Sequence, residues 1–149
     1  MNRGRGLRLH HIGNAVADME AAVELYSKRL GYHAATAAIH DPGQTAFVQF
    51  LQSGDDAVYL ELVAPDGPTS KLINAIKRGG GLNHLCYTCG PMEEAIKALE
   101  ATGMKLIAEP KPGIAFAGRQ ICWLLGSEPV PIELVERRDE FDLCTPGMA

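Results

Sequence analysis

Two histidines and two glutamates stand at matched intervals in this chain. His11 precedes Glu61 by 50 residues, and His84 precedes Glu133 by 49. Imidazole nitrogens and carboxylate oxygens are donors that suit borderline divalent ions such as Zn²⁺, Co²⁺, Ni²⁺, Mn²⁺ or Fe²⁺. Four such ligands around a six-coordinate ion leave two positions for water or substrate oxygens. A carboxylate beside the ion can also serve as a general base. A single strand histidine is more often a satisfied core or surface residue than a ligand, so the case rests on repetition.

The repetition reaches beyond these four residues. LHHIGNAVADMEAAVELY at 9–26 matches LNHLCYTCGPMEEAIKAL at 82–99, at an offset of 73. LELV at 60–63 matches IELV at 132–135, at an offset of 72. Two matches in one order and nearly one register mark two copies of a module. Each copy reads as strand, helix and three further strands, βαβββ. First strands are expected at 9–16 and 82–89, and helices at about 19–30 and 92–102. Met19, Ala22, Val23, Tyr26 and Leu30 share one face of the first helix at helical spacing. Asp18 is its expected N-cap and Gly31 its stop, while Pro91 suits the first position of the second helix and Gly103 its end. The remaining strands are expected at 33–39, 45–52 and 57–63, and at about 104–108, 118–125 and 131–136.

The modules therefore span 9–65 and 82–137 within one α+β domain covering 1–149. The connector, 66–81, holds a short helix with Leu72, Ile73 and Ile76, capped by Thr69 or Ser70 and broken by Gly79, Gly80 and Gly81. The tail, 138–149, has no periodicity and reads as a loop or flexible end.

Strand alternation assigns faces. Leu60, Leu62, Ile132 and Leu134 supply the apolar side that a helix must cover, so Glu61 and Glu133 point the other way. Ile12, Val16, Leu85 and Tyr87 take the helix side, which turns His11 and His84 away from it. If two such sheets face each other across a pseudo-two-fold axis, the four side chains converge on one divalent ion.

Composition narrows the class. The chain has 149 residues, 46% hydrophobic and 21% charged, which is globular composition. Its 14 basic and 18 acidic residues give a net charge of −4. Nucleic-acid and membrane-surface binding want a basic face, which this balance disfavours. No stretch approaches the ~20 apolar residues of a membrane helix. The opening MNRGRGLRLHHIG has no apolar run behind its charges and is not expected to be a secretory signal. Four cysteines, Cys86, Cys89, Cys122 and Cys144, are too few for a disulfide scaffold, so a reduced cytoplasmic protein is expected. Cys86-x-x-Cys89 is half a zinc knuckle with no second half, and its sulfurs fall on opposite faces. His10 points opposite to His11, His33 and His40 have no counterpart in the repeat, and Asp55-Asp56 sits in a turn.

These residues resemble the vicinal oxygen chelate superfamily, which includes glyoxalases, extradiol dioxygenases, bleomycin-resistance-type binding proteins and methylmalonyl-CoA epimerases. The resemblance is greatest to the epimerase branch and covers about 9–137. It is carried by HHIGNAVADMEAAVELYSKRLGY, ELVAP at 61–65, SKLINAIKRGGGLNHLCY, MKLIAEPKPGIAFAGRQICWL and PIELVE. It implies two tandem βαβββ modules paired into a cup-shaped, half-open mixed sheet with helices outside. It also implies a metal held by His11, Glu61, His84 and Glu133. Members often have a histidine where this chain has Asn83, which points away from the cup.

The activity implied is abstraction of a proton alpha to a carbonyl through a metal-stabilised enediolate, on an acyl-CoA such as methylmalonyl-CoA. The resemblance makes Glu133 the carboxylate that doubles as base. Some epimerases carry a second basic glutamate on the strand equivalent to 45–52. The nearest cup-facing polar residue here is Gln49, which does not exchange protons usefully and is left to orient substrate or water. Arg119 falls on the cup-facing alternation with Ile121 and Trp123. There it either pairs with a substrate carboxylate or phosphate or is a strand-end surface arginine. The same motifs admit a lactoylglutathione-lyase-like isomerase or a metal-free small-molecule binding protein. An extradiol dioxygenase fits less well, because its iron site takes three protein ligands. Superfamily members are often dimers, so a homodimer is implied by the resemblance only.

Overall fold

The 73-residue offset in the sequence is also an offset of structure. The computed structural model describes residues 6–147. Residues 1–5, where the basic opening begins, and residues 148–149 of the tail lie outside the described residues. The chain divides into two compact units. Among the described residues, the N-module is residues 11–83, and the C-module is residues 84–147 with residues 6–10. Each is α+β and built on a mixed sheet.

In the N-module, β1 (Arg8–Ala15) leads into α1 (Met19–Leu30). Asp18 caps the helix by accepting a hydrogen bond from the Ala21 amide, and Gly31 ends it at φ 72°, a left-handed turn that glycine adopts without steric cost. Three strands were expected in all after the helix, but four follow. They are β2 (Tyr32–Ala34), β3 (Ile39–Asp41), β4 (Ala46–Ser53) and β5 (Tyr59–Pro65). The expected strand 33–39 is broken because the amides of Ala35 and Thr36 both turn onto the Phe50 carbonyl. β5 lies parallel to β1, while β4 is antiparallel to β5 and to both β2 and β3. Val48, Phe50, Leu51, Leu62 and Val63 form the buried interior. α1 contributes no buried side chain, and Leu30, placed on its apolar face by spacing, is exposed. The connector helix α2 (Ile73–Lys77) starts after Leu72, whose amide donates to the Ser70 hydroxyl. Ser70 in turn donates to the Thr45 carbonyl, which ties the connector to the β3–β4 turn.

The C-module repeats the plan with a tighter helix. Its strands are β6 (Gly81–Cys89, from His84 onward), β7 (Lys105–Pro112), β8 (Gln120–Leu125) and β9 (Ile132–Glu136), in the order β6-β9-β8-β7. β6 and β9 are parallel, and the other pairs are antiparallel. α3 (Met92–Glu100) buries Met92, Ala95, Ile96 and Leu99 against Cys89, Cys122, Leu124 and Leu134. That spacing of three, four and seven is one helical stripe. Pro91 is the N-cap rather than the first helical residue. Proline has no side-chain acceptor to cap the helix, and the Met92 amide donates to the Glu136 carboxylate at 2.6 Å. Ala117 and Gly118, at φ 54° and 81°, make the turn that delays β8 to residue 120. Among the described residues, no helix is long and apolar enough to cross a membrane.

Residues 138–147 of the tail form no helix or named strand, and hydrogen bonds hold them to the C-module. The Asp142 carboxylate accepts from Arg119 at 2.8 and 2.9 Å and from the amides of Arg138 and Cys144. Cys144 is fully buried, and its carbonyl lies 2.9 Å from His10 Nε2. Gly147 donates to the Ala115 carbonyl. A near-buried carboxylate is tolerable only with partners of this kind, and here they hold the last turn of chain in place.

Candidate active site

Each module places one histidine beside one glutamate on adjacent parallel strands. In the N-module, Gly13 lies opposite Glu61, and His11, two residues earlier on β1, shares its face. His11 Nε2 is 3.4 Å from Glu61 Oε1, and both side chains are buried. Phe50, opposite Glu61 on β4, meets the His11 ring edge-on with centroids 5.2 Å apart. In the C-module, Cys86 lies opposite Glu133, and His84 precedes it by two residues on β6. His84 Nε2 is 3.6 Å from Glu133 Oε1, and this pair too is buried. Trp123, opposite Glu133 on β8, meets the His84 ring edge-on at 4.8 Å.

The two arrangements correspond residue for residue. Gly13 and Cys86, and Phe50 and Trp123, are each 73 apart, like His11 and His84. The aromatic walls were missed in the sequence, although the same offset singles them out. They seat each imidazole against a ring edge and restrict water around the carboxylate.

The donor set fits a divalent ion. Two ligands each about 2.1 Å from one ion stand roughly 3.0–3.4 Å apart. The separations of 3.4 and 3.6 Å lie at or just beyond that range. With imidazole neutral and carboxylate ionised, the states that bind metals, each pair offers one nitrogen and one anionic oxygen donor. Burial in low dielectric makes an uncompensated carboxylate costly, so a cation is a natural complement to both pairs.

Two residues expected at the site are elsewhere. Gln49 lies opposite Leu62, on the helix side of the sheet, and its amide donates to the Thr36 carbonyl at 2.9 Å. Its counterpart 73 residues on is Cys122, which packs in the helix-side core of the C-module. Gln49 therefore does not share the face of His11 and Glu61. Arg119 is not directed at a ligand either. Its guanidinium grips Asp142 and the Phe116 carbonyl, which uses both arms of the fork. The mutual hydrogen bonds raise the Arg119 pKa and hold the Asp142 carboxyl well below the usual carboxylate range.

Three of the four thiols are kept protonated by their placement. Burial, with nearby acidic groups, pushes Cys89 and Cys122 up to about 12 and Cys144 up to about 11. A thiol so disfavoured as thiolate is neither a nucleophile nor a metal ligand at neutral pH. Cys89 belongs to the helix-side core and Cys86 lies opposite Glu133, so the two sulfurs of the Cys-x-x-Cys take opposite faces as expected.

The chain is similar to known proteins over most of its length. An ethylmalonyl-CoA/methylmalonyl-CoA epimerase of Cereibacter sphaeroides is 28% identical over 119 residues, covering 78% of this chain and 87% of that one. The uncharacterized protein YqjC of Bacillus subtilis is 32% identical over 142 residues, covering 89% and 94%. Among solved structures, a methylmalonyl-CoA epimerase from Mycobacterium tuberculosis superposes with a TM-score of 0.74 at 27% identity, covering 89% of each chain. A family model described as the Glyoxalase/Bleomycin resistance protein/Dioxygenase superfamily matches residues 10–123. On a match that spans most of both modules, this chain belongs to the glyoxalase/bleomycin resistance protein/dioxygenase superfamily.

Proposed function

We propose that the chain is a metal-dependent epimerase that removes and returns the proton alpha to the carbonyl of an acyl-CoA, methylmalonyl-CoA being the leading substrate. One observation carries this reading: a buried His–Glu pair at equivalent positions in each module, His11 with Glu61 and His84 with Glu133. The epimerase names among its relatives support the substrate class. In this reading the four residues hold one divalent ion. A bound dication supplies Lewis-acid stabilisation of the charge that develops on a carbonyl oxygen as the α-proton leaves.

The chain's own residues do the rest. Glu133 takes the α-proton on a carboxylate oxygen and passes it to solvent, and delivery of a solvent proton to the opposite face of the planar α-carbon gives the epimer. Trp123 and Phe50 keep bulk water from the two imidazoles, which preserves the directional donors. Gln49 has no part in the proton transfer, because it faces α1. The reading carries two further expectations, a cytoplasmic location and a homodimer, which cell fractionation and sedimentation equilibrium test.

The decisive experiment has two arms. Metal analysis of purified protein is expected to find a stoichiometric divalent ion that is lost in both His84→Ala and Glu133→Ala. Incubation with methylmalonyl-CoA in heavy water is expected to place deuterium at the α-carbon. Glu133→Gln should slow that exchange by roughly 100-fold or more, the scale of a lost general base. A folded protein without metal or exchange would refute the reading. Turnover of the glutathione–methylglyoxal hemithioacetal in place of exchange would favour the lyase-like chemistry instead.

A further inference from the structure

The two module helices carry one apolar stripe at equivalent positions, yet only one of them is covered. Met92, Ala95, Ile96 and Leu99 of α3 are buried in the C-module core. Their counterparts 73 residues earlier, Met19, Ala22, Val23 and Tyr26 of α1, are only half-buried. Outside the stripe the helices differ again. Leu25 is 45% exposed and Leu30 is 60% exposed, where the second copy has Ala98 and Gly103. α1 is therefore less covered beneath and more apolar outside than its counterpart. An open cleft of about 460 Å³ runs along that side of the helix, with Ala17, Ala22, Leu25, Tyr26 and Ile76 in its walls.

One edge of α1 matches itself when reversed. Asp18, Ala22, Leu25 and Arg29 follow at steps of four, three and four, which aligns them along the helix. An acid stands at one end and a base at the other, with a small and a large apolar residue between. Laid antiparallel against a second α1, Asp18 faces the partner's Arg29 and Ala22 faces the partner's Leu25, each pair occurring twice. A small residue opposite a large one lets two helix axes approach to roughly 8–10 Å. Asp18 and Arg29 are both exposed. Asp18 Oδ1 caps α1 through the Ala21 amide, and Arg29 has no ion pair or side-chain hydrogen bond among the described residues. At the equivalent positions α3 has Pro91, Ala95, Ala98 and Thr102, with neither the charges nor the leucine. The self-matching edge belongs to α1 alone of the two.

A surface that is apolar at its centre, charged at its ends and complementary to its own reverse fits an isologous two-fold contact. We infer that a second copy of this chain covers α1, helix against antiparallel helix, with Leu25 of each copy packed on Ala22 of the other. Self-association is an expectation of the proposed function, but its place on α1 is not. That placement rests on neither the metal nor the acyl-CoA.

Sedimentation equilibrium and thiol cross-linking test it without turnover. Wild type is expected to be a dimer. Leu25→Glu changes an exposed side chain, so it should keep the circular dichroism and thermal melt of a folded protein while weakening the dimer at least a hundredfold, the scale of a central interface residue. Arg29→Glu should weaken it by a smaller factor. Adding Asp18→Asn, which keeps the N-cap acceptor, should recover part of that loss. All four native cysteines are buried, so an introduced surface thiol is the reactive one. A short bismaleimide should join Leu25→Cys into a covalent dimer much faster than Phe141→Cys, a more exposed site on the tail. A monomeric wild type, a dimer indifferent to Leu25→Glu, or cross-linking no faster at Leu25→Cys than at Phe141→Cys would overturn the inference. An α1 dimer that passes these tests but shows no α-exchange would refute the epimerase and leave the contact standing.

Discussion

Phe50 and Trp123, 73 residues apart, are the same residue of the module in two copies. Each lies opposite a buried glutamate in an antiparallel ladder, and each sets its ring edge-on to the histidine paired with that glutamate. The repeat thus preserves the surroundings of the pair as well as the pair itself. The C-module uses the larger indole beside Glu133, the carboxylate assigned the proton.

Phe50 is fully buried, so truncating it tests how far the wall is structural. Phe50→Ala should destabilise the protein by about 3–5 kcal/mol, from lost apolar burial and the cavity left behind. Denaturant unfolding should show a lower midpoint at unchanged slope. Phe50→Leu should recover most of the loss.

Gln49→Ala should leave the rate of α-deuterium exchange within about twofold of wild type, because the side chain faces α1 and bonds the Thr36 carbonyl. A loss of a hundredfold, on the scale of a positioned acid or base, would contradict that placement.

The Arg119–Asp142 clamp should make the tail sensitive to acid. Asp142 is held below its unfolded value, so its contribution is present above the unfolded carboxylate pKa of about 3.9 and is lost as pH falls towards the folded value. The stability difference between wild type and Asp142→Asn should be largest at pH 5–7, at about 1.5–3 kcal/mol for a charge-assisted bond. It should shrink on acidification below about pH 4. Thermal melts across that range would show the two curves converging, and parallel curves would contradict the clamp.

The native thiols should resist modification. With Cys89, Cys122 and Cys144 raised to about 12, 12 and 11, and all four cysteines buried, Ellman's reagent at pH 8 should titrate less than one equivalent. In denaturant it should titrate four.

The sequence by itself determined the module, its double occurrence and the side of the sheet on which His11, Glu61, His84 and Glu133 lie. Leu60 and Leu62 flank Glu61, and Ile132 and Leu134 flank Glu133, so a helix laid on the flanking residues turns each glutamate to the other face. Parallel pairing of the first and last strand of each module then brings each histidine beside its glutamate. What only the tertiary structure decided lies where alternation is silent or the partner is remote. Phe47, Val48, Phe50 and Leu51 make β4 apolar on both faces, so local pattern sets no phase. Its pairing with β5 turned Gln49 towards the helix. Arg119 reads as either a ligand anchor or a strand-end surface arginine until Asp142, 23 residues on, folds back to claim it. The unpacked flank of α1 was equally hidden, since spacing gives a helix its apolar stripe but not how closely the sheet beneath receives it.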